Sequence, residues 1–212
     1  MSFTFKPLRL LIIVAALSLT SAACAQEVDS SKYKDVKEPL TVSTGEKIEV
    51  LELFWFGCGH CFALEPGIKN WLKNKPENAE FVKMPAIFTS NLWEFHGKAF
   101  YTMKALDLPS EAYDEFFHHL HIKRQTLSSL KQLSKFLLQY GKSEEEVKAA
   151  YSSFAVDNQV RAAKKATRQA GATGVPTIVV DGKFVTSQSL AGSSDNLFEV
   201  VNQLVEKAAA ER

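Results

Sequence analysis

The sequence predicts an α/β fold in which a block of helices is inserted into a sheet-containing domain. Residues 47–56 (KIEVLELFWF) form a continuous apolar, β-rich run, typical of a central strand that is buried on both faces. The helical block follows later in the chain, and after it come two strand-like runs joined by an Asp-Gly turn at 181–182. A βαβ unit needs only about thirty residues. The block at 90–171 is therefore predicted as an inserted all-helical domain, within a domain formed by 26–89 and 172–212.

The elements near the long strand follow from local signals. Residues 40–43 are predicted to form a short edge strand. A helix is predicted over residues 58–74, bent at Pro66 because proline cannot donate a backbone hydrogen bond. Residues 80–88 are predicted as the next strand, which Pro85 limits.

The inserted block and the C-terminal part contain amphipathic helices. Apolar side chains at helical spacing form one stripe, which consists of Leu127, Leu130, Leu133, Leu137 and Tyr140. Ser143 and Glu146 are spaced as a capping box at the start of another helix. Residues 158–170 are predicted as a further helix, closed by Gly171, and residues 195–210 as the last one.

The N-terminal residues 1–25 have the pattern of a secretory signal peptide. A positively charged start precedes a short apolar stretch at 10–19, which small residues follow. The small-residue pattern ending at Ala25 predicts cleavage before Gln26. The alternative is a lipoprotein signal, in which Cys24 would carry the lipid anchor. Either way, export is predicted, to an oxidising compartment such as the periplasm where disulfides persist.

Composition is that of a globular protein, and the charge balance does not point to nucleic acid or anionic lipid as a partner. The 212 residues include 25 basic and 24 acidic side chains, and 46% are hydrophobic. Because this charge balance is nearly neutral, the sequence gives no reason to expect nucleic acid or anionic lipid as a partner.

The central motif is a C-x-x-C pair, Cys58 and Cys61, directly after the long strand. Haem attachment would require histidine after the second cysteine, where this chain has Phe62. A zinc site needs three or four protein ligands, and the pair supplies two. Three histidines of the helical block are the remaining candidates, and their apolar neighbours predict a helix with its histidines facing water: His118, His119 and His121. No metal and no other cofactor are therefore predicted.

Position at a strand-to-helix junction indicates a reactive pair. A purely structural disulfide between Cys58 and Cys61 would close a very short loop and would stabilise the fold little. The first turn of a helix presents unpaired N–H groups and a partial positive charge, which stabilise a thiolate. We therefore predict a lowered pKa for Cys58, with Cys61 buried one turn further along.

These residues resemble a known family. A buried strand ending in F-W-F-G-C-G-H-C, Pro66 in the following helix and a distant G-V-P-T (174–177) resemble the thioredoxin superfamily. The helical insertion and the export signal narrow the resemblance to DsbA-type periplasmic thiol:disulfide interchange proteins. It covers roughly residues 40–207 and implies a thioredoxin-like fold.

The resemblance implies roles for the residues of the motif. Cys58 is the nucleophile that holds a mixed disulfide, and Cys61 resolves it, the two forming a redox-active disulfide. Gly59 and His60 set the redox poise, since positive charge on His60 lies near the thiolate. Many family members have proline in place of Gly59, and the Gly-His pair also occurs in eukaryotic disulfide isomerases.

Three further positions are implied outside the motif. Val175-Pro176 matches the family's cis-proline, with the backbone of Val175 contacting bound peptide and Pro176 lying against the cysteines. Glu52 matches an acid that moves protons to and from the buried cysteine; the alternative is a carboxylate facing water at a sheet edge. No lysine clearly matches the usual partner of this acid, and Lys83 is the nearest candidate, which the sequence does not select.

The predicted function is that of an exported thiol:disulfide oxidase. It would donate the Cys58–Cys61 disulfide to unfolded or reduced secreted proteins, and a membrane-embedded, quinone-linked oxidase of the DsbB type would reoxidise it. Only about twenty residues separate Gln26 from the first long strand, so no dimerisation domain is predicted there and a monomer is expected. Two alternatives stay open: a disulfide isomerase or reductase of the same fold, and a metal- or peptide-binding module without catalysis.

Overall fold

The structure is a computed structural model that describes residues 1–2 and 28–212. The predicted signal peptide, its cleavage site and Cys24 lie outside the described residues. Among the residues that are described, no helix is both long enough and apolar enough to cross a membrane.

A five-stranded mixed sheet forms the centre of the molecule. Its strands are β1 (Lys34–Asp35), β2 (Ile48–Phe54), β3 (Ala79–Pro85), β4 (Thr177–Val180) and β5 (Phe184–Thr186). Their order across the sheet is β1-β5-β4-β2-β3, and only the β2–β3 pair is parallel. All seven residues of β2 are buried, which confirms the prediction of a central strand from its unbroken apolar run.

The predicted hairpin and edge strand have different outcomes. The predicted turn is confirmed: Asp181 and Gly182 both have positive φ, 52° and 66°, and lie in the three-residue connection between β4 and β5, where the N–H of Lys183 donates to the carbonyl oxygen of Val180 at 2.9 Å. The edge strand predicted at 40–43 is wrong, because the edge of the sheet is formed by β1 instead. Leu40 is buried and donates a single backbone hydrogen bond to Gly182 (2.9 Å), so its segment packs beside the turn without forming a ladder.

Eight α-helices are formed by the described residues. They are α1 (Gly59–Asn74), α2 (Asn91–Ala105), α3 (Ser110–His121), α4 (Leu130–Leu137), α5 (Glu144–Tyr151), α6 (Phe154–Gln169), α7 (Gln188–Ala191) and α8 (Ser194–Ala210). The predicted capping box of Ser143 and Glu146 is present at the start of α5. Helices α2–α6 lie in the chain between β3 and β4. The exact domain boundaries, 90–171 for the insertion, stay a prediction.

The pleat of β2 determines which side chains lie beneath α1. Ile48 and Val50 pack in one core cluster with α1 and α8, whereas Leu51 and Leu53 pack on the opposite face with α6. Because successive side chains of a strand point to opposite faces, Glu52 lies on the α1 face. The C-terminal end of β2 therefore delivers Glu52 underneath the helix that carries the cysteines.

Candidate active site

Helix α1 begins at the C-x-x-C motif, with Cys58 as its N-cap residue. Cys58 has extended backbone angles (φ −90°, ψ 116°), and its sulfur accepts a hydrogen bond from the backbone N–H of Cys61 at 3.3 Å. A sulfur in this position occupies the place of a capping oxygen, where the free N–H groups of the first turn point. Both cysteines are free thiols in the structure.

The surroundings of Cys58 favour the thiolate. Its pKa is lowered from 9.0 to about 6, first by a hydrogen bond from the Cys61 side chain and then by backbone N–H groups of Cys61 and His60. Partial burial opposes this change, and the charge of His60 adds to it. The pKa of Cys58 is thus lowered, as predicted, but its largest cause is the Cys61 side chain, and the helix-terminal N–H groups come second.

The environment of Cys61 has the opposite effect. Its side chain is fully buried and belongs to a core cluster with Phe54 and Phe56 of the sheet side and residues of α2–α6. Burial is the largest cause that raises the pKa of the Cys61 thiol, and the hydrogen bond to Cys58 raises it further. At neutral pH the pair therefore holds one proton on Cys61 and leaves Cys58 ionised.

The loop before β4 contacts the Cys58 thiol. The sulfur of Cys58 lies 3.4 Å from the carbonyl oxygen of Val175, and the Val175–Pro176 peptide bond is cis, as the sequence predicted. His60, Gly174, Val175, Pro176 and Gln188 are among the residues that line a cavity of about 370 Å³ beside this loop. The structure thus brings the distant Val175 and Pro176 together with the motif.

Glu52 is completely buried, so the alternative of a water-facing edge position is wrong. β2 lies between β3 and β4, and neither carboxylate oxygen of Glu52 has a hydrogen-bond partner in the part of the chain that the structure describes. Burial raises the pKa of Glu52 to about 7, against the charge of Lys83, which lowers it. The carboxyl group can therefore gain or lose a proton near neutral pH. Its charge also raises the pKa of Cys61, which couples the two groups.

Lys83 is the partner of this acid, although the sequence did not select it. In the parallel register Glu52 is paired with Lys83, whose Nζ lies 3.6 Å from Glu52 Oε2. Lys83 also contacts Glu65 on α1, in a closer ion pair. Burial lowers the pKa of Lys83, but the two carboxylates more than compensate, and the net pKa is raised. Sequence reasoning missed Glu65, which was detectable only as an acid on the buried side of α1, one turn after Cys61.

A histidine of the helical segment also reaches the active-site turn. His121 Nε2 is 2.7 Å from the carbonyl oxygen of Phe56, and its ring stacks on Phe62 with centroids 5.0 Å apart. The prediction that the three histidines face water is therefore wrong for His121; His118 is exposed and His119 is half-buried. No sequence signal identified this contact, because it depends on how the end of α3 packs against the turn. In the described part of the chain, no three His, Cys, Asp or Glu side chains are grouped to hold a metal ion.

The aromatic residues around the motif divide into two groups. Phe54 and Phe56 are buried core residues. The other four, Trp55, Phe62, Phe88 and Trp93, are half-buried. Trp55 stacks on Trp93 with ring centroids 4.2 Å apart. The motif is thus bordered by a partly exposed aromatic surface.

Comparison with known proteins gives the same family as the site. A family model described as a DSBA-like thioredoxin domain matches residues 96–198. The thiol:disulfide interchange protein DsbA of Pseudomonas aeruginosa strain PAO1 is 35% identical over 96% of this chain and 98% of that protein. The protein of the same name from Burkholderia cepacia is 31% identical over 93% of each chain.

Solved structures agree on the fold. The crystal structure of Pseudomonas aeruginosa DsbA is 35% identical, with a TM-score of 0.78 over 85% of this chain and 95% of that one. The oxidoreductase DsbA from Xylella fastidiosa, at 22% identity, shares the fold with a TM-score of 0.77. The chain therefore belongs to the DsbA family, has its thioredoxin-like fold, and is a protein dithiol–disulfide oxidoreductase.

Proposed function

We propose that this protein is an exported thiol:disulfide oxidase, which donates the Cys58–Cys61 disulfide to folding secreted proteins through a mixed disulfide at Cys58. The observation that carries the proposal is the opposite change in the two thiols: the pKa of Cys58 falls to about 6, whereas that of Cys61 is raised. A disulfide whose reduced form contains a stabilised thiolate is a stronger oxidant, because reduction is favoured.

The reaction has two exchange steps. A client thiolate attacks Cys58 Sγ, which forms the mixed disulfide and breaks the Cys58–Cys61 bond, with Cys61 leaving as a thiolate. A second client thiolate then attacks the client sulfur of the mixed disulfide, and Cys58 leaves as a thiolate. The client loses two electrons and becomes a disulfide, and the protein gains them as a dithiol. Cys58 is a good leaving group in the second step because its thiolate is stabilised at the start of α1.

The first step requires a proton at the buried sulfur. Cys61 leaves in an apolar site that disfavours its anion, so protonation completes the bond cleavage. Glu52, with a pKa raised to about 7, is the proposed proton donor, and Lys83 would stabilise the carboxylate that remains. No cofactor takes part in this exchange.

The partners and location follow from the same chemistry. The clients are unfolded or reduced secreted proteins, which meet the enzyme in the periplasm after residues 1–25 have been removed before Gln26. Each catalytic cycle leaves a dithiol, so a membrane-embedded, quinone-linked oxidase of the DsbB type would restore the disulfide. We propose that the protein acts as a monomer, with Val175 contacting the client backbone beside Cys58 and Pro176.

A trapping experiment tests this function. Cys61→Ser, activated at Cys58 as a mixed disulfide with glutathione, is incubated with reduced, urea-unfolded ribonuclease A. We expect a covalent adduct through Cys58 that dithiothreitol releases, because Cys61 is no longer present to displace the client from Cys58. The matched Cys58→Ser variant should form no adduct. Adducts through Cys61, or equal adduct formation by both variants, would contradict the assignment of Cys58.

Gly59 favours one second candidate, a disulfide isomerase, because the Gly-His pair resembles that of eukaryotic isomerases. Refolding of scrambled ribonuclease A would distinguish the two activities. The oxidase should act faster on the reduced protein than on the scrambled one, and the reverse order would favour isomerisation. For a binding module without catalysis, Cys58 should react with iodoacetamide like an ordinary thiol, with no plateau of reactivity below pH 7.

A further inference from the structure

Trp55 connects the active-site turn to its surroundings. Its carbonyl oxygen accepts the backbone N–H of Cys58 at 2.9 Å, and a hydrogen bond from its backbone favours the thiolate of Cys61. Its indole ring covers Gly57 so closely that a Cβ atom at Gly57 would lie 2.4 Å from the ring. The indole thus packs directly on the backbone of the turn that carries Cys58.

The indole N–H of Trp55 is a buried donor without a hydrogen-bond partner among the described residues. Buried polar groups in folded proteins are nearly always paired, so an unpaired donor this close to the reacting atoms requires an explanation. The ring stacks on Trp93, which provides contact area but leaves the N–H free.

His96 supplies the complementary atom. It lies on α2, is 2% exposed, and its Nε2 is 2.8 Å from the carbonyl oxygen of Leu127. A carbonyl oxygen only accepts, so Nε2 carries the hydrogen. Burial is the largest cause that lowers the pKa of His96, to about 4. The hydrogen bond to Leu127 opposes this change, and the charge of His121 adds to it. The ring is therefore neutral at pH 7. Nδ1 then has a free lone pair, and it too is buried without a partner in the described chain.

The two rings are neighbours. Their centroids are 5.7 Å apart with an interplanar angle of 34°, and both side chains line a cavity of about 360 Å³ beside Gly57. One unpaired donor and one unpaired acceptor are thus carried by neighbouring rings that line the same cavity, and a rotation of either ring would be needed to join them in a hydrogen bond.

We infer that His96 is a positioning residue, whose Nδ1 accepts the indole N–H of Trp55 and thereby fixes the turn that carries Cys58. The chain of hydrogen bonds runs from Leu127 O through His96 to Trp55, and from the Trp55 backbone to the two cysteines. Helix α2 and the segment before α4 then control the geometry that stabilises the Cys58 thiolate. This inference rests on the proposed role of Cys58 and names a residue outside the motif that supports it.

A double-mutant cycle tests the inference with His96→Phe, Trp55→Phe and the combined variant. Each single variant should reduce the acidity of the Cys58 thiol about threefold, measured from the pH dependence of iodoacetamide alkylation. Each should also shift the equilibrium with glutathione towards the protein disulfide by a similar factor. Because both substitutions remove one shared hydrogen bond, the combined variant should be no worse than either single variant.

Matched controls separate positioning from general packing. Trp93→Phe keeps a ring stacked on Trp55 and leaves the indole N–H in place, so its effect should add to that of His96→Phe. His96→Asn places an amide oxygen near the position of Nδ1 and should restore most of the acidity. It also serves as the second variant if His96→Phe does not fold.

The same double-mutant cycle is also carried out with the free energy of urea unfolding as the measured quantity, because this quantity does not depend on the role of Cys58. Additive effects of His96→Phe and Trp55→Phe on unfolding would show that the hydrogen bond is absent and would overturn the inference. Coupling in unfolding without any change in Cys58 acidity would overturn the positioning role. An ordinary thiol pKa for Cys58 in the wild-type protein would instead contradict the proposed oxidase function, and the unfolding cycle would still decide whether the bond exists.

Discussion

Cys58 and Cys61 lie about one helical turn apart, and their surroundings have opposite effects on a negatively charged sulfur. At the start of α1, a hydrogen bond from the Cys61 side chain, followed by the backbone N–H groups of Cys61 and His60, lowers the pKa of the half-buried Cys58 to about 6. Cys61, the third residue of α1, is fully buried, and burial raises the pKa of its thiol. The comparison shows that hydrogen bonds decide the pKa of the partly exposed sulfur, whereas desolvation decides that of the buried one.

Buried charged groups beneath α1 add to this difference between the two thiols. Glu52 is buried among apolar side chains and is held by Lys83, which also contacts Glu65. The start of α1 thus stabilises the Cys58 thiolate, whereas burial beneath α1 favours the protonated form of Glu52. The following experiments test this division, in order of decreasing expected effect.

Glu52→Gln removes the buried acid and should have the largest effect. The carboxyl pKa is 4.5 ordinarily and about 7 in the folded protein. The folded state therefore binds more protons than the unfolded state between these values, and wild-type stability falls as pH rises through this window. The variant lacks this loss, so its free energy of unfolding should exceed the wild-type value by up to about 3 kcal/mol more at pH 8 than at pH 4.5.

Urea unfolding of the disulfide form measures this, since Cys58 then does not titrate. The control is Glu80→Gln, which removes a half-exposed acid of the neighbouring strand β3 and keeps Glu52 in place. If the unfolding free energy of wild type and Glu52→Gln had the same pH dependence, the pKa of Glu52 would not be raised in the folded protein.

Gly57→Ala tests whether the turn at the mouth of α1 tolerates a displaced indole. The added methyl group would overlap the Trp55 ring, so we expect a loss of about 1–3 kcal/mol in unfolding free energy. The matched variant is Gly59→Ala, where the added Cβ would meet no atom of residues 1–2 or 28–212 within 4 Å beyond its chain neighbours and its own helix backbone. This second variant should be neutral or slightly stabilising, since alanine is the better helix former. A neutral effect of Gly57→Ala would show that the Trp55 ring moves away at no cost, and a similar loss in both variants would show that the loss does not come from this overlap.

Cys61→Ala and Cys61→Ser separate the hydrogen bond to Cys58 from the rest of the helix terminus. The hydrogen bond from Cys61 is the largest cause of the lowered Cys58 pKa. Alanine removes this donor and should raise the midpoint of alkylation from about 6, by about one pH unit. Serine keeps a donor and should raise it less. Identical midpoints in the two variants would assign the whole effect to the backbone N–H groups.

His60→Gln should have the smallest effect. The charge of His60 is the last of the causes that lower the Cys58 pKa, and the side chain is exposed. We expect the alkylation midpoint to rise by less than about half a pH unit at low salt. At 1 M salt, where the Debye length is about 3 Å, wild type and variant should converge. A difference that persists at high salt would point to a hydrogen bond instead of a charge.

The parts of the site that depend on one element were predictable from the sequence. An apolar run fixes β2 as a central strand, and Cys58 at the start of a helix follows from the strand-to-helix change. The contacts of Lys83 and His121 were not predictable in this way. A shift of one residue in the β2–β3 register would place Val82 or Met84 opposite Glu52. Likewise, only the packing of α3 against the turn brings His121 to the carbonyl of Phe56.

The edge of the sheet shows the same limit. Residues 40–43 have some strand character, but the two-residue β1 at Lys34–Asp35 pairs with β5 instead. Which short segment pairs with a hairpin depends on where the chain can reach it, and local sequence does not encode that distance. Short edge strands are therefore the elements that sequence patterns predict least well.

The turn between Trp55 and Phe62 is held by His121 from a helix far along the chain and faces Val175 from a loop further still. An incompletely folded copy of this protein lacks both neighbours and the ordered start of α1, so its sulfurs behave like those of any other newly made polypeptide. For the proposed oxidase, oxidising power would thus be acquired only when the last of these distant segments has packed. Until then, the chain would be one more unfolded protein with reduced cysteines.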